Sequence, residues 1–214
     1  MSSQIYCVES MPFAENTYIL WHSGSPECVV FDPGMEPELI FDALQDKKLQ
    51  PVAIINTHGH SDHIAGNAAM KARFPDIPLI IGEIEAPFLS DPNLNLSRKY
   101  GYDLISPPAD QLVNEGDTIL FAGFTFHILH IPGHSPGSLV FWAENEKILI
   151  VGDVLFSGSI GRTDFPGGSF ATLAAGIQQK IYTLPDDTKI YPGHGPVTTV
   201  GQEKRTNPYV RAAN

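Results

Sequence analysis

Six consecutive residues, His58-Gly59-His60-Ser61-Asp62-His63, carry four side chains able to ligate a metal. Neutral imidazole and carboxylate are the donors that zinc and other first-row divalent ions take from proteins. A polar strand-to-helix turn, capped by Ser61 or Asp62, is the plainer reading, but a cap asks for one such residue and not four. The run therefore reads as the first half of a metal site. Three further candidates follow, each at a turn after an apolar run: His134 in Ile131-Pro132-Gly133-His134, Asp153 in Val151-Gly152-Asp153, and His194 in Tyr191-Pro192-Gly193-His194. The adjacent glycine lets the backbone turn sharply, as a ligand loop requires. Any one of them fits an ordinary turn. Four strand-end positions together point to ligands converging at one sheet edge, held by rigid elements.

The elements that must position these residues are legible as short apolar runs between turn residues and, in the first helix, as apolar residues at helical spacing. Strands are expected at Ile5–Glu9, Thr17–His22, Cys28–Phe31, Val52–Asn56, Leu79–Ile81, Thr118–Phe121, Phe124–His130, Ser138–Trp142, Ile148–Val151 and Lys189–Tyr191, most of them β-branched or aromatic and bounded by Gly, Pro, Asn or Asp. Helices are expected at Glu36–Lys48, Ile64–Phe74, Glu83–Leu89 and Ser169–Tyr182. Leu39, Ile40, Ala43 and Leu44 supply the apolar stripe of the first. The segment from Asp91 to Asp110, with Pro92, Pro107 and Pro108, reads as a long surface excursion. No repeat or low-complexity tract is visible.

A chain of 214 residues with 43% hydrophobic and 17% charged residues describes an ordinary globule, read as one domain over 1–214. No apolar run is long enough to span a bilayer, and the start lacks a basic patch followed by an apolar stretch, so a cytoplasmic protein without membrane attachment is expected. Cys7 and Cys28 form no CxxC pair and read as buried free thiols. With 24 acidic against 13 basic residues the net charge is −11, which disfavours nucleic acid as a partner. The charge says nothing of oligomeric state.

The order and text of the motifs, from Thr57-His58-Gly59-His60-Ser61-Asp62-His63 to the final Pro192-Gly193-His194, resemble the metallo-β-lactamase superfamily over nearly the whole chain. That resemblance implies an α/β fold, a four-layer αβ/βα sandwich. It implies two divalent ions, zinc first, with iron or manganese as alternatives. His58, His60 and His134 would hold one ion; Asp62, His63 and His194 would hold the other; Asp153 would bridge them. The implied chemistry is hydrolysis by a metal-bridging hydroxide, with Asp62 orienting the nucleophile. Phe31-Asp32-Pro33-Gly34 is similar to the family's early Asp motif, whose role is to brace the ligand loop; a turn capping the next helix fits the same text. His22, His127 and His130 are left for core, surface or supporting roles.

Within the superfamily, Gly152-Asp153-Val154-Leu155-Phe156 and Gly158-Ser159-Ile160-Gly161-Arg162-Thr163-Asp164-Phe165 resemble the glyoxalase II group. Pro192-Gly193-His194-Gly195-Pro196, with Thr198, Gly201, Glu203, Arg205, Asn207 and Pro208, resembles its single-domain relatives. The implied substrate is a small-molecule thioester, hydroxyacyl glutathione or similar. Arg162 stands where the two-domain enzymes carry a glutathione-contacting lysine, and could receive a carboxylate; it could equally pair with Asp164. Pro196 and Asp164 replace tyrosines of the two-domain enzymes, and with Asn214 last in the sequence their helical domain is not expected. The alternative is a persulfide dioxygenase with a single non-haem iron, which shares Gly161-Arg162-Thr163-Asp164-Phe165 but ends its motif as Ala-His-Asp-Tyr. An intact His60 disfavours the di-iron oxygen-reducing branch. A metal-binding scaffold without turnover would need a closed or damaged ligand set.

Overall fold

The computed structural model describes residues 2–211. They form two compact units, one of residues 2–113 and 120–124, the other of 114–119 and 125–211. The first sheet has the order β1-β2-β3-β4-β5-β6, made by Ser3–Ser10, Glu15–His22, Glu27–Phe31, Gln50–Ile55, Leu79–Gly82 and Gln111–Val113. β1, β2 and β3 pair antiparallel, and β3 to β6 pair parallel. Parallel strands need crossovers, and α1 (Pro37–Lys47) supplies the first. Pro37 is pre-set for a helix start, and the helix ends on Lys48 in the left-handed conformation. Ile40, Ala43 and Leu44 pack with Val8, Ile19, Val30, Ile54 and Leu79 in one core. Burial of a side chain such as Ile40 or Leu44 contributes about 1.5–3 kcal/mol. Leu39, expected on that stripe, faces outward.

The second sheet has the order β14-β13-β10-β9-β8-β7, from Thr198–Thr199, Lys189–Pro192, Ile148–Gly152, Leu139–Ala143, Phe124–His130 and Thr118–Phe121. β10 pairs antiparallel with β9 and parallel with β13, with an irregularity between Ile150 and Gly152. That irregularity sits next to Asp153 and His194, where the Gly193 N–H donates to the Gly152 carbonyl at 2.8 Å. A two-stranded hairpin, β11 (Leu155–Phe156) and β12 (Ser159–Ile160), follows at once. α4 (Phe170–Gly176) is capped by Ser169 and continues as a π-turn over Ile177–Ile181; α5 (Val200–Thr206) is capped by Thr199. Leu173, Ile177, Ile181 and Val200 from these helices pack with Val140, Leu149, Val151 and Ile190 of the sheet. Each unit is thus a sheet with helices packed on it, the mixed α/β architecture expected.

Several elements depart from expectation. The helix expected at Ile64–Phe74 is two helices, α2 (Ser61–Ile64) and α3 (Asn67–Arg73). At the break, Gly66 sits so close to the preceding turn that a Cβ would lie 2.8 Å from the Gly34 carbonyl. Glu83–Leu89 is a 3-10 helix with Pro87 inside it. The short elements β6, β11, β12, β14 and α5 carry too few residues for a periodic signal. The 91–110 excursion is not all surface, since Asn95 and Ser97 are fully buried. Cys28 is a buried free thiol, whereas Cys7 is free but exposed, on the face of β1 opposite the buried Val8 and Ser10. No helix among the described residues is long and apolar enough to cross a membrane.

Candidate functional site

The first unit delivers the histidine run from the end of β4. His58 and His63 are fully buried and His60 is nearly so. α2 starts inside the run, so Asp62 and His63 lie on its first turn; His60 is the N-cap and makes no side-chain cap hydrogen bond, which removes the capping reading. The rings of His58 and His60 are 4.7 Å apart and those of His58 and His63 are 4.2 Å apart. Asp62 reaches within 3.7 Å of His63 Nε2 and keeps 17% of its side chain exposed.

Asp32 organises this cluster. Its Oδ1 accepts the Thr57 N–H at 2.7 Å, and its Oδ2 accepts the Thr57 hydroxyl at 2.6 Å. The same Oδ2 lies 3.0 Å from His63 Nδ1. Because the Thr57 hydroxyl proton is committed to Asp32, Thr57 Oγ1 is left to accept from His58 Nδ1 at 3.1 Å. Both imidazoles are therefore held as the Nδ1–H tautomer with a lone pair on Nε2. His58 Nε2 and His60 Nδ1 are 3.1 Å apart, close to the ~3.3 Å between two nitrogens on one tetrahedral ion with bonds of 2.0–2.1 Å. Asp32, His58 and His63 also bring one ligand atom each within 4.8 Å of one another. Asp32 already accepts three hydrogen bonds, however, and so braces the loop rather than offering itself as a ligand. It does not cap α1, whose N-cap is Glu36.

The second unit brings His134, Asp153 and His194 together. Asp153 Oδ2 lies 3.4 Å from His134 Nε2 and 3.6 Å from His194 Nε2, so one carboxylate oxygen faces two imidazoles. His134 Nδ1 meets the Arg162 carbonyl at 2.9 Å. A carbonyl only accepts, so His134 also carries its proton on Nδ1 and its lone pair on Nε2. The Arg162 guanidinium makes two 2.6 Å bonds to Asp164 and lies 4.3 Å over the Phe165 ring. His130 bonds the Pro136 carbonyl, His22 stacks on Phe124, and His127 lies beside Thr118 and Trp142, all supporting roles.

Several supporting residues gave no sequence signal. Glu85, fully buried, accepts the Gly59 N–H at 2.9 Å. The Ser61 N–H donates to the Asn95 carbonyl at 2.8 Å, and the Tyr102 hydroxyl donates to Ser61 Oγ at 2.9 Å. Partial burial pushes the Tyr102 phenol up, which keeps that donor protonated. Glu15 is buried beside Thr17, and desolvation pushes its carboxyl well above the ordinary 4.5. Such lone acids look like any surface carboxylate in sequence; only the fold reveals what each one touches.

A family model described as the metallo-beta-lactamase superfamily matches residues 11–194. The chain belongs to the metallo-β-lactamase superfamily. Membership makes it a metal-dependent hydrolase of that superfamily with the metallo-β-lactamase fold. It is 35% identical over 202 residues to the hydroxyacylglutathione hydrolase GloC of Haemophilus influenzae, covering 94% of each chain. The crystal structure of the BLEG-1 B3 metallo-beta-lactamase is similar with a TM-score of 0.92 and 40% identity, covering 97% of this chain and 99% of that one. TTHA1623, solved in a di-iron-bound form, is similar with a TM-score of 0.84 and 35% identity, covering 96% and 100%. The superfamily's metal requirement fits the donors here: imidazoles whose tautomers leave Nε2 able to ligate, with carboxylates beside them.

Proposed function

We propose that this protein hydrolyses hydroxyacyl glutathione or a similar small thioester at a binuclear metal centre, with zinc as the first candidate. His58, His60 and His134 would hold one ion, Asp62, His63 and His194 the other, with Asp153 between them. The observation that carries the binuclear reading is the single oxygen of Asp153 facing both His134 and His194. The superfamily match runs through both units, which supports reading residues 1–214 as one domain. When bound, such a pair of ions lowers the pKa of water towards neutrality and polarises the substrate carbonyl.

The chain's own residues supply the rest. Asp32, through Thr57 and directly, holds His58 and His63, and the Arg162 carbonyl holds His134, each with its proton on Nδ1 and its lone pair on Nε2. Asp62, part-exposed beside His63, would orient the attacking water. Attack of that water on the thioester carbon forms the C–O bond, and collapse of the tetrahedral centre breaks the C–S bond. The thiolate leaves without needing a proton from the protein, and the protons given up by the water pass to solvent. Arg162, fixed on Asp164, would receive a carboxylate of the thiol moiety. A net charge of −11 suits a small substrate held by one cation better than nucleic acid. The 35% identity to GloC across 94% of both chains supports the thioester class.

Similarity to BLEG-1 favours a second reading, hydrolysis of a β-lactam amide. An amine is a poorer leaving group than a thiolate and needs protonation as the C–N bond breaks. The test is to measure the metal content of the protein isolated without added metal, then assay it as isolated, zinc-loaded and iron(II)-loaded for lactoylglutathione cleavage, cephalosporin ring opening and oxygen uptake with glutathione persulfide. Thioester cleavage should exceed the other two. Faster ring opening would replace the thioester reading with the second, and oxygen uptake with one iron per chain would replace both with the persulfide dioxygenase alternative.

A further inference from the structure

Glu203 is fully buried on α5, and the donors it meets among the described residues are all neutral. Its Oε1 accepts the Thr198 hydroxyl at 2.6 Å; its Oε2 accepts the Gly158 N–H at 3.0 Å and the Asn207 side-chain amide at 2.9 Å. A buried carboxylate is costly unless its acceptor sites are filled, so its three partners are held as a set. They lie on three segments. Thr198 follows His194 by four residues, Gly158 closes the β11–β12 hairpin that follows Asp153, and Asn207 ends α5.

The hairpin depends on this support. β11 and β12 contribute two residues each, too few to stand alone. Besides the Glu203 bond to Gly158, the Asn207 amide donates to the Ser159 carbonyl at 3.1 Å. What the hairpin carries is the ligand set. Phe156 lies edge-on to His194 with ring centres 6.0 Å apart. Gly161, immediately after β12, passes so near that a Cβ there would lie 1.8 Å from the Asp153 carbonyl oxygen and 3.2 Å from His134 Cβ. The next residue is Arg162, whose carbonyl fixes the His134 tautomer.

We infer that Glu203 is a positioning residue for the metal centre: its buried carboxylate ties the Asp153 hairpin to the His194 segment, and through Gly161 and Arg162 it sets His134 as well. The inference rests on the proposed reading of His134, Asp153 and His194 as ligands. Glu203 touches none of these and acts only through the backbone that carries them.

The test measures zinc binding to the metal-free full chain by competition with a chromophoric chelator, together with the visible spectrum of the cobalt(II)-loaded protein and its thermal unfolding. Glu203→Gln replaces one acceptor oxygen with a donor, so that either it meets the N–H groups of Gly158 and Asn207 or the Thr198 hydroxyl must turn its proton elsewhere. Its affinity for at least one of two zinc ions should fall roughly 10–100-fold, with an altered cobalt spectrum. Thr198→Val should act in the same direction and Thr198→Ser should restore wild-type binding, and this pair decides the matter if Glu203→Gln does not fold. Variants that unfold at lower temperature yet bind two zinc ions with wild-type affinity and an unchanged cobalt spectrum would overturn the inference, leaving the proposed ligands standing. A wild-type chain that takes up no pair of ions would instead remove the ligand reading, and this inference with it.

Discussion

One carboxylate oxygen, Oδ2 of Asp32, accepts from the Thr57 hydroxyl at 2.6 Å and lies 3.0 Å from His63 Nδ1. Two imidazoles, thirty-one residues of chain away from their brace at the furthest, take their tautomers from that oxygen. Asp32→Asn puts an amide where only acceptors serve, so either a donor meets a donor or a ring turns over. Zinc affinity should drop about 10–100-fold, and the buried mismatch should cost about 1–3 kcal/mol of stability. Chelator competition and urea unfolding check the two numbers; wild-type zinc affinity in this variant would contradict the brace.

Arg162 serves through two groups that a mutation can separate. Its carbonyl orients His134, and its guanidinium pairs with Asp164 at the surface. Arg162→Ala keeps the carbonyl, so metal stoichiometry and kcat should hold. Loss of the exposed ion pair should change stability by about 1 kcal/mol or less. KM for an anionic thioester should rise about tenfold, the equivalent of one charge-assisted hydrogen bond of about 1.4 kcal/mol. An unchanged KM would assign the side chain to Asp164 alone.

Glycine is required for close approach beside each group of candidate ligands, at Gly59 and at Gly161 among others. At Gly59 a Cβ would lie 2.3 Å from Phe88 Cβ and 3.1 Å from the Glu85 carboxylate that holds this backbone; at Gly161 it would meet the Asp153 carbonyl. Gly59→Ala and Gly161→Ala should each destabilise by about 1–3 kcal/mol or more, since packed backbone cannot yield freely. Each should also lower metal occupancy at equal zinc concentration. Thermal unfolding and metal analysis of the two variants test this, and wild-type values for either would show that the backbone there has room.

Glu15 gives a pH dependence whose sign is fixed. Burial raises its carboxyl well above 4.5, so between 4.5 and that raised value the folded chain holds a proton that the unfolded chain has released. Stability from this group is full below 4.5 and is lost as pH rises through the folded pKa, with a slope of at most about 1.4 kcal/mol per pH unit. Glu15→Gln stays neutral throughout and removes the effect. In urea unfolding of metal-free protein, the stability of wild type relative to Glu15→Gln should decline as pH rises above 4.5; a flat difference would mean the carboxyl ionises normally.

Much of this was legible because candidate ligands at strand ends announce themselves. The His58–His63 run, His134, Asp153 and His194 all follow strands that short apolar, β-branched or aromatic runs located, and glycine marked the turns. The braces were not legible: Glu85 lies 26 residues beyond Gly59, and Glu203 lies 45 beyond Gly158. Nothing local distinguishes such an acid from a solvated one: Glu85 answers a backbone N–H with no residue identity to match, and Glu203, though part of the family text with Thr198 and Asn207, shows in sequence neither its burial nor which groups it touches. Asp32 was readable as a brace only through the family text around it; the spacing alone fitted a helix cap equally well. Two-residue strands such as β11 and β14 lie below the length at which any period can be counted.

Titration of metal-free protein with zinc while lactoylglutathione cleavage is followed tests the binuclear centre directly. Activity should rise to a plateau at two equivalents per chain, and Asp153→Ala should lose metal and activity together. A plateau at one equivalent, or full activity in Asp153→Ala, would contradict the binuclear reading.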